Sequence, residues 1–516
     1  MPPATFDVRK RVADHEIRAS EIQADATAAD AAAGGTTGRD RTLRLVLYDG
    51  LASEAMGTLT TGVFLAGLAV EIGASNAAIG LLAAVPFAVQ LLQLPAVVLV
   101  ERLRARRAIC TWSAGIGRCF LLGAAVTPLL GAAGGMAALI ALLALHQALA
   151  AIGGCAWNSW MRDLVSAAEH GRFFGQRTAA TTALAIALAF LGSFVIDTWK
   201  GALPDHPALG YSVLFVLSAL IGLFGVYLLS ITPDQPMVPV DKRLHPFEML
   251  SAPFRDQNFR RLIIFLSSWN FAANLAAPFF SVYMLKSLGY GMTTVMTLTI
   301  VSQLSNLAAL GLWGALIDRF SNKALLRVCA PLFLACTLAW SLTGLPWLQP
   351  LTIYLLLAIH VLMGIATAGM ALASNNIAMK LSPTGQATAY LAANSVTTAS
   401  FAAVAPVIGG LCADFFAAHE LTLAFTWKGA DAALTVQVLN FHAWTFFFGL
   451  ACVAGLYSLH RLTFVQETAG STDPLVLRHL LLEARRSMHS LSSAAGLLRI
   501  VRGPLSLLRP ANRNAG

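Results

Sequence analysis

Gly314-Ala-Leu-Ile-Asp318-Arg319-Phe-Ser-Asn-Lys323 is a short polar break between two long apolar runs, and its pattern occurs twice in the chain. Moved back by 217 residues it falls on Val97-Val-Leu-Val-Glu101-Arg102-Leu-Arg-Ala-Arg106, so that Glu101 stands for Asp318, Arg102 for Arg319 and Arg106 for Lys323. The same shift sets Arg44 on Arg261, Leu164 on Leu381, Gly192 on Gly409 and Asp197 on Asp414. With one residue of slack, Asn158, Met161 and Arg162 fall on Asn376, Met379 and Lys380. Leu and Gly match easily by chance in apolar segments. Charged positions at the ends of such segments do not, and they mark an internal duplication.

Around these breaks lie apolar runs near 44–70, 77–100, 107–130, 136–160, 178–197 and 211–231, then 261–285, 291–317, 324–345, 351–376, 387–412 and 441–463. Each is long enough to cross a hydrocarbon layer of roughly 30 Å at about 1.5 Å per helical residue. No alternating pattern suggests a barrel. The composition agrees. Of 516 residues, 57% are hydrophobic and 12% charged, with a mean hydropathy of +0.68. Soluble chains carry roughly 25% charged residues, so an ordinary soluble enzyme, a disordered scaffold and a disulfide-rich secreted protein are excluded. The reading is an all-α polytopic membrane protein with twelve transmembrane helices in two pseudo-symmetric six-helix bundles.

The net charge is +9, and its placement sets an orientation. With the amino terminus inside, inner connections hold Arg102, Arg104, Arg106, Arg107, Arg162, Arg172, Arg177, Lys242, Arg243, Arg255, Arg260, Arg319, Lys323, Arg327 and Lys380. Outer connections hold little beyond Lys200, Lys286 and Lys428. This positive-inside asymmetry puts both termini in the cytoplasm. The expected organisation is a cytoplasmic tail (1–43), a first bundle (44–231), a Pro-rich cytoplasmic linker (232–260), a second bundle (261–463) and a basic tail (464–516). That last tail carries an amphipathic helical face and suits a helix on the anionic inner leaflet or on the inner loops. The segment 413–440 is expected as a long outer connection with Trp427 as an interfacial anchor. The seven cysteines fall in apolar segments without ligand spacing and read as small core residues.

The break beginning at Gly314 resembles the inner-loop motif of the major facilitator superfamily, G-x-x-x-D-R-x-G-R/K-R/K. The first-half copy lacks the leading Gly and has Glu101 for Asp. The resemblance implies two bundles rocking about a central site near the bilayer midplane. It also implies a cytoplasmic gate in which Gly314, Asp318, Arg319 and Lys323, with Glu101, Arg102, Arg162 and Asp163, form contacts that break on opening. Ordinary loop charges are the alternative. Gly171–Arg177 is expected as a structured inner turn. Under the resemblance the first, fourth, seventh and tenth helices line the cavity.

Ionisable groups inside spans are expensive and point to function. Glu54 is the first choice for a proton-coupling site and Asp49 the second, with Arg118 as the counter-charge of Glu54 and His146 as a relay. A static ion pair between helices is the alternative. Asn270, Asn274, His360 and Gln147 are candidates for the substrate cavity, or for helix-to-helix hydrogen bonds. Ala405-Pro406-Val-Ile-Gly409-Gly410 suggests a bend and close packing in the eleventh helix. Trp157 and Trp160 read as interfacial anchors, and Trp269 as a residue that could stack on substrate.

The expected function is a secondary active transporter of a small solute, by alternating access and coupled to protons. The expected location is an inner (plasma) membrane of bacterial type. No phosphate-loop motif, metal cluster or nucleophile motif is visible, so no cofactor, metal or nucleic-acid partner is expected, and the chain is read as a monomer in a lipid bilayer. A receptor or assembly factor on the same fold, an amphiphile translocator and a membrane enzyme remain alternatives.

Overall fold

The computed structural model describes residues 35–234, 251, 253–319, 321–383, 386–419, 421–428, 433–441 and 443–467. Twelve helices among them are long and apolar enough to cross a membrane. In the first half these are α1 (Gly38–Glu71), α2 (Asn76–Leu103), α3 (Arg106–Leu130), α4 (Ala133–Leu164), α5 (Glu169–Ala202) and α6 (Pro207–Ser230). The second half holds α7 (Gln257–Lys286), α8 (Met292–Gly314), α9 (Asn322–Gly344), α10 (Leu348–Leu381), α11 (Ala389–Ala417) and α12 (Trp444–Thr463). Helices are the local solution because, without water, each backbone N–H and C=O must be paired within its own segment. Their starts are capped where the sequence offers a cap. Ser75 accepts from Ala78 N, Asp256 from Asn258 N and Phe259 N, and Ser321 from Ala324 N.

Several spans are interrupted. In α1 the helix stops at Thr60 and restarts at Gly62, with Thr61 extended and Gly62 at φ +59°, a value that favours glycine. Prolines inside α2 (Pro86), α7 (Pro278), α9 (Pro331) and α11 (Pro406) each remove one ladder hydrogen bond.

The packing core forks. One buried cluster joins both halves, from Phe64, Leu68 and Phe215 to Phe279, Met292 and Phe447. It occupies the end of the bundle away from the basic loops, called here the far end. Toward the basic end the core separates in two. Val46, Val100, Trp160 and Leu229 cluster within the first half, and Phe259, Leu326, Ile377 and Leu462 within the second. Between the halves, α2 packs along α11, α5 along α8 and the second segment of α1 along α7.

Some sequence expectations change. Gly171–Arg177 is not a turn but the early part of the α5 helix, which begins at Ala167. The apolar run that marks the span starts only at Thr178, and helix geometry continues outward through polar residues. The connection after α11 is not irregular throughout. It forms an antiparallel hairpin, β1 (Leu421–Lys428) with β2 (Ala433–Phe441), with an irregularity between Leu423 and Ala424. Trp427 lies in β1, and its side chain is outside the described set. Trp160 is no belt anchor: it is fully buried, and its indole N–H donates to Pro233 O at 3.1 Å. Trp157 lies under the Arg177 guanidinium, 4.9 Å from the ring centre, so its face is taken by protein. Both tails (1–34 and 468–516) and linker residues 235–250 lie outside the described residues.

Arg104, in the turn after α2, has φ +50° and is the one non-Gly residue with positive φ among those described. It occupies the place of the second Gly of the loop motif, and a residue with a Cβ in this left-handed conformation carries a steric cost. Arg104→Gly is expected to stabilise the protein by about 0.5 kcal/mol, the ~1–2 kcal/mol of clash less the ~0.5–1 of glycine entropy. Thermal unfolding in detergent checks this, with Arg104→Val expected to move the midpoint the other way.

Candidate functional site

Between the halves, where the core forks, lies a cavity of about 520 Å³. The break in α1 (Thr60–Gly62) and the prolines of α2 and α7 all line it, so the irregular backbone sits where it faces a cavity and not lipid. Among the sequence candidates His146, Gln147, Asn274 and His360 line this cavity. Asn270 does not. Its amide donates to Leu266 O at 2.8 Å, and its own carbonyl receives Asn274 Nδ2 at 2.9 Å. Trp269 is also turned away, buried edge-on against Phe333 at 5.3 Å. Thr61, Gln303, Phe280 and Trp340 line the cavity without having been singled out. Phe280 and Trp340 read as plain apolar span, and Gln303 on α8 and Trp340 on α9 lie outside the four helices expected to contribute.

A second, smaller cavity of about 290 Å³ lies inside the first half and meets α1, α3, α4, α5 and α6. Asp49, Ser53, Arg118 and Arg177 line it, and His146 belongs to both cavities. Asp49 is 2% and Arg118 4% exposed. Ser53 links them: Arg118 Nη2 donates to Ser53 Oγ at 3.3 Å, and Ser53 Oγ donates to Asp49 Oδ1 at 3.5 Å. Glycine on α6 makes room, since a Cβ on Gly225 would lie 3.3 Å from Asp49 Oδ1 and 3.6 Å from Arg118 Nη2. Arg177 reaches over Gly50 and is the second cation facing Asp49. The expectation that Arg118 balances Glu54 is therefore corrected. Arg118 faces Asp49, while Glu54 is exposed and acts on Arg177. Residues 49 and 54 are five apart, which puts them on different faces of one helix. Arg177 was missed as a site residue because it stands just outside the apolar run.

At the basic end the charged side chains bond within their own halves. Arg106, 1% exposed, donates to Ser159 O and pairs with Asp163. Asp163 thus turns mainly to α3, while Arg162 is exposed at 79%. In the second half Lys323 donates to Thr463 O at 3.1 Å and to Val465 O, and Lys380 pairs with Glu467 at 2.9 Å. Glu467 also accepts from Lys323 N at 2.8 Å and from Asn322 Nδ2 at 2.9 Å. Glu101 and Arg102 are exposed, Gly314 is half-buried, and the side chains of Asp318 and Arg319 lie outside the described set.

At the far end polar contacts cross between the halves, and they do so twice in the same way. Asp414 at the end of α11 accepts from Asn76 N (2.9 Å) and Ala77 N (2.8 Å), the first N–H groups of α2. Asp197 on α5 accepts from Met292 N (2.8 Å) and Thr293 N (2.7 Å), the start of α8. The two clasps are related by the 217-residue shift that relates Asp197 to Asp414 and Asn76 to Thr293. Lys286 on α7 adds a bond to Ala74 O at 2.8 Å. Between the clasped α2 and α11 the backbones nearly touch. A Cβ on Gly80 would collide with Pro406 O, and one on Gly410 with Asn76 O.

Two outcomes follow. Asp197→Asn with Asp414→Asn keeps an acceptor oxygen but removes the charge that the helix N-termini favour, about 0.3–1 kcal/mol at each site and up to ~2 when buried. Spin labels at the far end of α5 and α8 are expected to report a population with a wider separation, and unchanged distances would refute the clasp. Burial alone raises a carboxyl, but at Glu467 the Lys380 ammonium, the Lys323 N–H and the Asn322 amide outweigh it and hold it below its ordinary value. A depressed folded pKa contributes stability above the unfolded pKa and loses it as pH falls through the folded one. Glu467→Gln is therefore expected to lower the melting midpoint at pH 7, with the gap closing in acid below about pH 4.

Comparison with known proteins places this architecture. A profile of the Major Facilitator Superfamily matches residues 50–406 and 271–463. No curated protein sequence matches the chain. Among solved structures, a mutant form of the nucleoside transporter NupG superposes with a TM-score of 0.61 at 14% identity, covering 82% of this chain and 100% of that one. A D-xylose-proton symporter gives 0.57 at 15% identity, covering 84% and 99%. A bacterial homologue of the human lysosomal transporter Spinster, inward-facing and unoccupied, gives 0.56 at 14% identity over 89% and 100%. At such identities the likeness establishes the fold alone. With a profile match running through both halves of the duplicated chain, the protein belongs to the Major Facilitator Superfamily.

Proposed function

We propose that the protein is a secondary active transporter that moves a small solute by alternating access, coupled to protons, and that this structure is its inward-facing state. The observation that carries this reading is the forked core. Apolar packing and both carboxylate clasps join the halves at the far end, while at the basic end each half keeps its own core and its own ion pairs. Positive charge marks the basic end as cytoplasmic. Opening the far end has to break the clasps, and closing the basic end has to bring its polar loops together.

Asp49 with Arg118 is the coupling pair this reading favours, in place of Glu54. Asp49 is buried, bonded through Ser53 to Arg118, and shares its cavity with Arg177. Ionised, Asp49 balances Arg118. Protonated, it releases the guanidinium, whose Nε and Nη1 have no hydrogen-bond partner. His146 carries that change to the central cavity, because its Nδ1 bonds Gly117 O, next in sequence to Arg118, while its ring lines both cavities.

Liposomes loaded with a pH dye test the proposal. They are challenged with sugars, carboxylates, amino acids, peptides and cationic drugs until one solute drives proton entry. Asp49→Asn is expected to abolish gradient-driven accumulation of that solute while solute exchange without a gradient persists. Glu54→Gln is expected to have a smaller effect. Driven accumulation that survives Asp49→Asn refutes the coupling assignment, and the absence of any solute flux refutes transport.

A further inference from the structure

The chemistry of the central cavity narrows the cargo, an inference that rests on the transport reading. Among the described residues, none that lines it is Asp, Glu, Lys or Arg. A buried charge without a counter-charge is costly in this medium, so a charged solute would have to bring its balance with it.

The polar groups that do line the cavity are mostly spent as donors. Thr60 donates its hydroxyl to Met56 O, Thr61 to Gly57 O, Thr299 to Val295 O, Thr367 to Met363 O and Ser281 to Pro278 O. Each bond consumes the one hydroxyl proton and leaves oxygen lone pairs as the remaining capacity. Asn274 spends one N–H on Asn270 O and keeps its second N–H and its carbonyl. The two histidines also bond backbone carbonyls. His146 Nδ1 lies 2.8 Å from Gly117 O, and His360 Nδ1 lies 2.7 Å from Leu356 O. A carbonyl only accepts, so Nδ1 carries a proton in both rings, and Nε2 is the acceptor whenever the ring is neutral. One such ring comes from α4 and the other from α10, so each half contributes one.

The cavity thus carries no carboxylate, ammonium or guanidinium; its hydroxyls and imidazoles offer mainly acceptors, while the carboxamides of Gln147 and Gln303 and the Ser302 hydroxyl add donors. The rest of its wall is apolar and aromatic, including Phe87, Phe280, Phe333 and Trp340. We infer that the cargo is an uncharged solute carrying hydroxyl or amide groups, with one apolar face to lay on that wall. Anions are disfavoured by the lack of a cation. Ammonium compounds would satisfy the lone pairs but find no carboxylate.

The test uses the full chain in lipid nanodiscs, which avoids sugar-based detergents. Three uncharged donor-rich probes (phenyl β-glucoside, uridine and myo-inositol) are compared with phenyl phosphate and benzylammonium by thermal shift and calorimetry. At least one uncharged probe carrying an apolar face is expected to bind, and the two charged ones are not. His360→Phe and Asn274→Leu, which remove acceptors and keep bulk, are each expected to weaken that binding about tenfold. A melting midpoint near that of the unmodified protein shows that each variant is folded. Tighter binding of the phosphate or the ammonium, binding of none of the uncharged probes, or unchanged affinity in both variants overturns the inference. Liposome flux of a charged solute would overturn it too, while leaving the transport reading intact.

Discussion

The first N–H groups of α2 and α8 have no partner inside their own helices, and in each case the partner is a carboxylate from the opposite half. Much else in the structure depends on these two bonds. They fix which helices pair across the interface, α2 with α11 and α5 with α8, and they hold those pairs together at one end only. A carboxylate near a helix N-terminus gains from both hydrogen bonding and the helix dipole. In a protein whose interior and surroundings are both apolar, such a contact also specifies register, which hydrophobic packing alone does poorly. The collision that a Cβ on Gly80 or Gly410 would cause shows how closely the clasped helices run.

Because the far end is closed by shared packing, the polar groups left between the halves gather in the middle. The break in α1 and the proline kinks in α2 and α7 open the wall of the central cavity there. The ionisable groups collect beside it, inside the first half alone. Asp49 and Arg118 meet beside α6 glycines, Arg177 reaches in over Gly50 of α1, and no comparable buried ion pair occurs within the second-half spans among the described residues. The two halves are alike in backbone and unlike in chemistry. His146 is the contact between the charged pocket and the neutral one.

Much of the fold was legible before any coordinates. Span number and approximate limits follow from hydropathy, since an apolar run near twenty residues has few other stable conformations. The duplication was legible from charged residues at helix ends, and it already paired Asp197 with Asp414. What that pairing does was not legible, because an N–H at a helix start leaves no trace in the sequence. The site was read in part. His146, Gln147, Asn274 and His360 do line the cavity, but Asn270 turns to its own helix, and Arg118 faces Asp49 and not Glu54. Within a span, sequence gives depth but not azimuth. Which face of α1 meets α3 and α6 is decided by packing, and five residues along a helix are enough to reverse the answer.

The sequence by itself determined that this chain lives in a bilayer, crosses it twelve times, is internally duplicated and carries its positive charge at one end. Those properties depend on the solvent each residue prefers, which is a property of the residue. The tertiary structure decided which carboxylate pairs with Arg118, which helix starts are capped from across the interface, which end of the bundle the shared core closes, and that no acidic side chain, lysine or arginine among the described residues lines its central cavity. Those depend on the directions of side chains and N–H groups brought together from distant parts of the chain, and direction exists only once the helices have packed.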